Sequence, residues 1–199
     1  VRRKICFVTG TRAEYGLLRP VMNLLKTDSE VVFQLVVTGS HLSERHGETI
    51  NEIEGDGFTP DAKLTVDLSN DSRVAVAVAM ANTAAQIAET FSRLAPDLIV
   101  VLGDRYEILA TAQAALILGI PVAHIHGGEV TTGAFDDSIR HAITKMSNLH
   151  FVAADEYARR VIQLGEQPNT VFNVGSLGVE IALSEQLLTQ QELNAKLNL

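Results

Sequence analysis

With 199 residues, 46% of them apolar and 20% charged, the chain has material for one well-filled core or two small ones and is not a disordered polymer. Its formal charge of −8 argues against nucleic acid as a main partner, because phosphate backbones are held by basic faces. An anionic ligand remains open to it, held by a local arginine or a helix N-terminus.

The single Cys6 excludes a disulfide framework within the chain and reads as a small buried residue. The opening VRRKICFVTG is basic and then apolar, but the run is too short for a signal-peptide core. No apolar stretch approaches the roughly 18 residues of a membrane span. A cytoplasmic protein with no membrane partner is expected.

Taken in order, Lys4–Thr9 predicts a buried strand and Ala13–Lys26 a helix, with Leu17, Leu18, Val21, Leu24 and Leu25 on one stripe. Val31–Val37 is a second strand, and Ser43–Glu54 a helical stretch stopped by Gly55 and Gly57. Ala62–Leu68 reads as an edge strand. Ser69–Ser72 is a turn and cap before the Ala/Val-rich helix Val74–Leu94, which Pro96 ends. Leu98–Leu102 is a strand, Tyr106–Leu118 a helix, Pro121–Ile125 a strand, and Asp136–Asn148 a helix capped by its aspartates. Phe151–Ala153, the helix Asp155–Leu164 and the strand Val171–Val174 follow. Beyond Glu180 the composition shifts, and Ser184–Leu199 predicts one amphipathic linker helix at a domain boundary.

Strands alternating with crossover helices imply an α/β fold, a Rossmann-like parallel sheet with helices on both faces. In the common doubly wound order the first and fourth strands are neighbours, and ligands sit in the crevice at their carboxyl ends. Gly10–Arg12, Gly103–Arg105 and the loop after Ile125 would then share one mouth.

The residues of those three loops suit chemistry. GTRAEYG is a strand-to-helix turn whose Gly10 permits a sharp bend and whose Arg12 suits a phosphate, though an ordinary capped turn fits equally well. It is neither GxGxxG nor a Walker loop. Gly103-Asp104-Arg105 sets a carboxylate beside a guanidinium, as an ion pair or as a ligand-facing couple. His124 and His126 alternate on a strand and so point to one face. With His41 they could ligate metal, but no HExxH or Cys pattern accompanies them. Hydrogen bonding to a sugar, or proton transfer with Glu129 and the Asp136/Asp137 pair, fits better. Arg140, His141 and Lys145 read as a solvated helical face, Asp155–Glu156 as a helix N-terminus, and Arg159–Arg160 as its exposed continuation.

Together, VTGTRAEYGLLRP, TGSHLS, VLGDRYEILA and HIHGGEVTTGAFDDSIRHAITKMS resemble the hydrolysing UDP-N-acetylglucosamine 2-epimerases of sialic-acid biosynthesis. The resemblance covers Lys4 to Glu180. It implies one half of a GT-B architecture, with residues 1–180 as the N-terminal Rossmann-like domain and 181–199 as a linker helix toward a second domain. The implied reaction converts UDP-N-acetylglucosamine and water to N-acetylmannosamine and UDP. The C2 proton leaves with UDP to give a 2-acetamidoglucal, water adds at C1, and C2 is reprotonated on the opposite face.

The resemblance further implies Asp104, Glu129, Asp136 or Asp137, and His126 as catalytic groups, and Gly10, Arg12, His41, Arg105 and His124 as substrate-binding ones. It implies no cofactor and no metal, UDP-N-acetylglucosamine or UDP as partner, and a homo-oligomer. Family members are nearly twice as long, so an isolated chain is expected to turn over negligibly and to bind UDP weakly. A binding module without catalysis and a GT-B glycosyltransferase are the alternatives.

Overall fold

A computed structural model describes residues 2–131, 135–184 and 188–198. Seven strands form one wholly parallel sheet: β1 (Arg3–Thr9), β2 (Val31–Thr38), β3 (Ala62–Leu64), β4 (Leu98–Leu102), β5 (Val122–Ile125), β6 (Leu149–Val152) and β7 (Val171–Asn173). Their order is β3-β2-β1-β4-β5-β6-β7, so β1 lies between β2 and β4 as anticipated, with β3 on one edge. Phe7 of β1 is level with Leu35 of β2 and Val100 of β4, which aligns the strands' carboxyl ends.

Side chains alternate across this sheet and fill two cores. Cys6, Val8, Ile99 and Val101 face α3 (Arg73–Leu94), α4 (Tyr106–Leu118) and α5 (Asp136–Met146), packing with Ile87, Phe91, Ile108 and Ile143. Phe7, Leu35, Val100 and Leu102 face the other way, onto Tyr15, Leu18 and Met22 of α1 (Arg12–Thr27) and Ile50 and Ile53 of α2 (Ile50–Gly55). Cys6 is wholly buried, as expected of a small core residue.

Several local expectations are revised. Ser43–Glu54 is not one helix: a 3-10 turn, Glu44–His46, is broken by Gly47 at φ +85° before α2 begins. The strand expected over Ala62–Leu68 stops at Leu64. The linker helix expected over Ser184–Leu199 is shorter, α8 (Gln190–Leu197), opened by a Thr189/Glu192 capping box, and an unanticipated helix, α7 (Leu177–Ser184), precedes it. Residues 185–187 between them lie outside the described residues. The remaining helix, α6 (Asp155–Gln163), precedes β7.

α3 also departs from the membrane expectation, because by length and composition alone it could cross a bilayer. In the fold its Ala79, Thr83, Ile87, Phe91 and Leu94 are buried, and it packs along α4.

Candidate active site at the carboxyl edge of the sheet

A cleft of about 260 Å³ opens where β1, β4 and β5 end. Its walls are Thr11 and Glu14 from the β1–α1 turn, Asp104 and Arg105 after β4, His126 and Glu129 after β5, and Arg140 from α5. The three loops therefore do share a mouth. A wider groove of about 720 Å³ lies beside β3 and α3, but Thr65, Asp67, Asn82 and Gln86 give it little proton-transfer chemistry.

The β5 loop is shaped by two backbone devices. His126 adopts φ +64°, a left-handed conformation uncommon outside glycine, and its carbonyl accepts a 2.8 Å hydrogen bond from Arg140. Gly128, at φ +78°, passes so close to α6 that a Cβ there would sit 2.5 Å from the Tyr157 carbonyl oxygen. Arg160 donates to the Gly128 carbonyl and pairs with Glu156 at 3.0 Å. Arg160 is thus a brace for the loop and not an exposed continuation of its helix; Arg159 remains exposed.

This bend separates the two histidines that a straight strand would have aligned. His124 stays in the sheet, wholly buried, with Nε2 against the Gly103 carbonyl oxygen at 2.8 Å and Nδ1 against Thr144 Oγ1 at 3.2 Å. Burial pushes its pKa down to about 3, so the ring is neutral. His126 turns to the cleft, where Nδ1 meets Glu129 Oε1 at 3.1 Å and Nε2 has no partner among the described residues. His41 is equally enclosed, between Thr9 Oγ1 at 3.1 Å and Thr49 Oγ1 at 2.8 Å, and burial lowers its pKa to about 4. His41 and His124 lie behind the cleft wall, each with both ring nitrogens engaged. No group of three metal-ligating side chains gathers among the described residues.

Arg140 is the largest departure from the sequence reading. Instead of facing solvent, it is 7% exposed and binds Asp104 Oδ2 through Nη2, while its Nη1 lies 3.7 Å from Glu129 Oε2. One guanidinium therefore gathers two carboxylates whose positions are 25 residues apart in sequence. Half-burial alone would raise the Glu129 pKa. The hydrogen bond from His126, then the charges of His126 and Arg140, outweigh it and hold the carboxyl below its ordinary range. Lys145 does occupy the outer face, pairing with Glu166 at 2.5 Å, whereas His141 is largely buried, with Nε2 3.7 Å from Asp137.

Asp136 and Asp137 stand in the first turn of α5, but neither occupies the N-cap position, which is Phe135. Asp137 instead accepts from the Thr131 N–H at 3.0 Å, steadying the loop beside Asp104. The Thr/Gly loop residues 132–134 lie outside the described residues. Arg12 also stands apart: it is exposed, pairs with Glu52 of α2 at 2.9 Å, and borders a neighbouring groove with Gly16 and Gly178. Gly10 bends without a left-handed backbone; the residue that needs glycine is Gly39, whose Cβ would sit 2.7 Å from the Gly10 carbonyl oxygen.

Three acidic or basic members escaped the sequence reading: Glu14, Glu107 and Arg140. Thr11–Glu14 has capping-box spacing, and Glu14 reaches one residue further back, to the Gly10 N–H at 2.8 Å. Arg140 falls one turn after Asp136 and one before Thr144, on the face that Ile143 buries. Those spacings were the available signals.

The family model described as UDP-N-acetylglucosamine 2-epimerase matches residues 23–198. The chain is 42% identical over 198 residues to a GDP/UDP-N,N'-diacetylbacillosamine 2-epimerase (hydrolyzing) of Campylobacter jejuni, covering all of this chain and 51% of the relative. It is 45% identical over 194 residues to polysialic acid biosynthesis protein P7 of Escherichia coli, covering 98% of this chain and 50% of that protein. Among solved structures, UDP-N-acetylglucosamine 2-epimerase from Rickettsia bellii superposes with a TM-score of 0.80 at 21% identity, over 100% of this chain and 52% of that one. The Neisseria meningitidis enzyme bound to UDP-GlcNAc gives 0.79 at 20%, over 90% and 48%. The chain spans about half the length of the curated relatives it matches. By sequence and by the fold those structures share with it, the chain belongs to the UDP-N-acetylglucosamine 2-epimerase family.

Proposed function

We propose that this chain forms the sugar-facing half of a hydrolysing 2-epimerase that takes a UDP-linked 2-acetamido sugar and water to UDP and the free C2 epimer. The observation that carries this reading is the meeting of Asp104 and Glu129 at Arg140, with His126 against Glu129. A proton on a sugar carbon is weakly acidic. Its removal calls for one group to take it, another to return it from the opposite face, and loss of the leaving group to accept the charge. Two carboxylates at one rim, one of them in contact with an imidazole, supply such a set. Asp136 and Asp137 stand beside it in the first turn of α5 and serve as further acidic candidates. His41 and His124 support the wall from behind, and Arg105 faces the anionic part of the ligand.

The substrate class includes N-acetylglucosamine and its 2,4-diacetamido relatives, because hydrolysing diacetylbacillosamine epimerases stand among the relatives at 41–42% identity. In this reading residues 1–180 are the N-terminal domain and 181–199 lead toward a second domain, the protein works as a homo-oligomer in the cytoplasm, and no nicotinamide or metal takes part.

The test is a protein built to the full length of the relatives and supplied with UDP-N-acetylglucosamine or its diacetamido analogue in deuterium oxide. Release of UDP with free sugar carrying deuterium at C2, without an acceptor sugar, is expected. Transfer to an acceptor with C2 hydrogen retained points to a glycosyltransferase, and binding without turnover to a module that lacks catalysis.

A further inference from the structure

On the cleft's β1 side lies a cluster that the scheme above leaves unused. Glu107 is wholly buried and holds Arg105 through two contacts, Nε to Oε2 at 3.2 Å and Nη2 to Oε1 at 3.0 Å. Glu14, 5% exposed, lines the cleft next to them. Its Oε2 accepts the Gly10 N–H, while Oε1 is buried with no hydrogen-bond partner among the described residues and lies 4.0 Å from Arg105 Nε. Two buried carboxyls thus face a single guanidinium, and that guanidinium is already spoken for by Glu107.

We propose that Glu14 carries a proton in the resting site, and that an anionic ligand reaching Arg105 from the cleft binds best while that proton is in place. The inference rests on the nucleotide-sugar reading for its ligand and on the Glu14–Arg105–Glu107 geometry for its proton. If both carboxyls were ionised the cluster would hold a net negative charge, directly behind the guanidinium it offers to a diphosphate. With Glu14 neutral the three groups balance, and the attraction of Arg105 is not cancelled at short range. Arg105 is partly exposed, so a ligand can reach it without displacing Glu107.

Among the described residues, the surroundings offer Glu14 no second cation. Arg12, on the same helix, turns outward to Glu52. Across the cleft Arg140 is engaged by Asp104 and lies near Glu129, and His126 is engaged by Glu129. At the end of β2, His41 is a neutral ring held by hydroxyls. The pKa direction agrees with the geometry. Burial pushes Glu14 up to about 8, against the opposing pull of the Gly10 N–H and Arg105 and with a further push from Glu107.

The experiment is a carbon-13 titration of glutamate side-chain carboxyls in a protein built to the full length of the relatives from pH 6 to 10, with and without millimolar UDP, beside E14Q. Affinities are compared above pH 7, beyond most of the titration of the UDP terminal phosphate, whose second pKa is about 6. One carboxyl is expected to titrate near pH 8 and to be missing in E14Q. UDP should raise its midpoint, and UDP affinity should fall toward about tenfold per pH unit above that midpoint in the wild type but stay flat in E14Q. Where E14Q does not fold, the carboxyl is assigned from its coupling to the Gly10 amide.

If every glutamate finishes titrating below pH 6, the proton is absent and the inference fails whatever binds. If the carboxyl titrates near pH 8 but UDP leaves its midpoint unmoved, the linkage fails while the nucleotide reading stands. If UDP perturbs no resonance at any pH, the nucleotide reading fails and takes the ligand half of the inference with it, whereas the titration of Glu14 is still decided.

Discussion

Replacing Arg140 by Met keeps much of the side chain's length and apolar stem but removes the cation at the junction of Asp104 and Glu129. Breaking a buried ion pair by deleting one partner costs about 3–5 kcal/mol, because the other charge is left without compensation. Asp104 and Glu129 are 20% and 26% exposed at their side chains, so water recovers part of that loss and the low end applies. The hydrogen bond to the strained His126 carbonyl is lost as well. We therefore expect R140M to destabilise the chain by about 3 kcal/mol, which for this size lowers Tm by roughly 6–12 °C.

Urea unfolding monitored by circular dichroism measures the loss, and a cycle with D104N isolates its cause. Because D104N removes the charge that R140M strands, the double variant should be at least about 1 kcal/mol more stable than the sum of the singles predicts. Strict additivity, or an R140M cost below about 0.5 kcal/mol, would refute the claim that one guanidinium organises the site.

Three further outcomes follow from the same structure. In a protein of full relative length, D104N and E129Q should each lower UDP release by ~100-fold or more, the scale of lost acid–base catalysis, and near-normal rates reject their roles. G128A, which needs φ +78° and meets the Tyr157 carbonyl, should destabilise by about 2 kcal/mol. G16A, whose Cβ would meet no atom within 4 Å beyond its own helical backbone and chain neighbours, should be neutral or stabilising by up to about 1 kcal/mol. Equal urea midpoints for the two glycine variants contradict the close-approach argument. Stability should also peak near pH 6.5. Below that pH, unfolding lets His41 and His124 take up protons that their depressed folded pKa values refuse, so stability falls with acid despite an opposing contribution from Glu14. Between about 6.5 and 8 the raised Glu14 acts alone among these groups: the folded state binds the extra proton, and stability falls as pH rises. Denaturation across pH 5–9 tests both limbs, and E14Q should flatten the alkaline one.

What the sequence determined by itself was whatever short-range pattern dictates. Short, largely apolar runs of three to seven residues alternating with amphipathic stretches identified the seven strand positions and the long helices, and glycines at strand ends marked where loops leave the sheet. The doubly wound order followed from the same alternation, and with it the convergence of the β1, β4 and β5 loops. Side-chain direction after a strand ends was beyond that pattern. His124 and His126 have the spacing of one strand face, yet the left-handed backbone at His126 turns one ring to the cleft and leaves the other in the core. Arg140 has the charge and helical position of a surface residue, and only the arrival of Asp104 and Glu129 from two other loops makes its burial favourable. Glu14 and Glu107 likewise look like ordinary first-turn acids until β1 and β4 are paired and set them around one Arg105. Hydrophobic periodicity is a property of neighbours in the chain, whereas a charge is buried or solvated according to partners that only the folded sheet brings within a few ångströms.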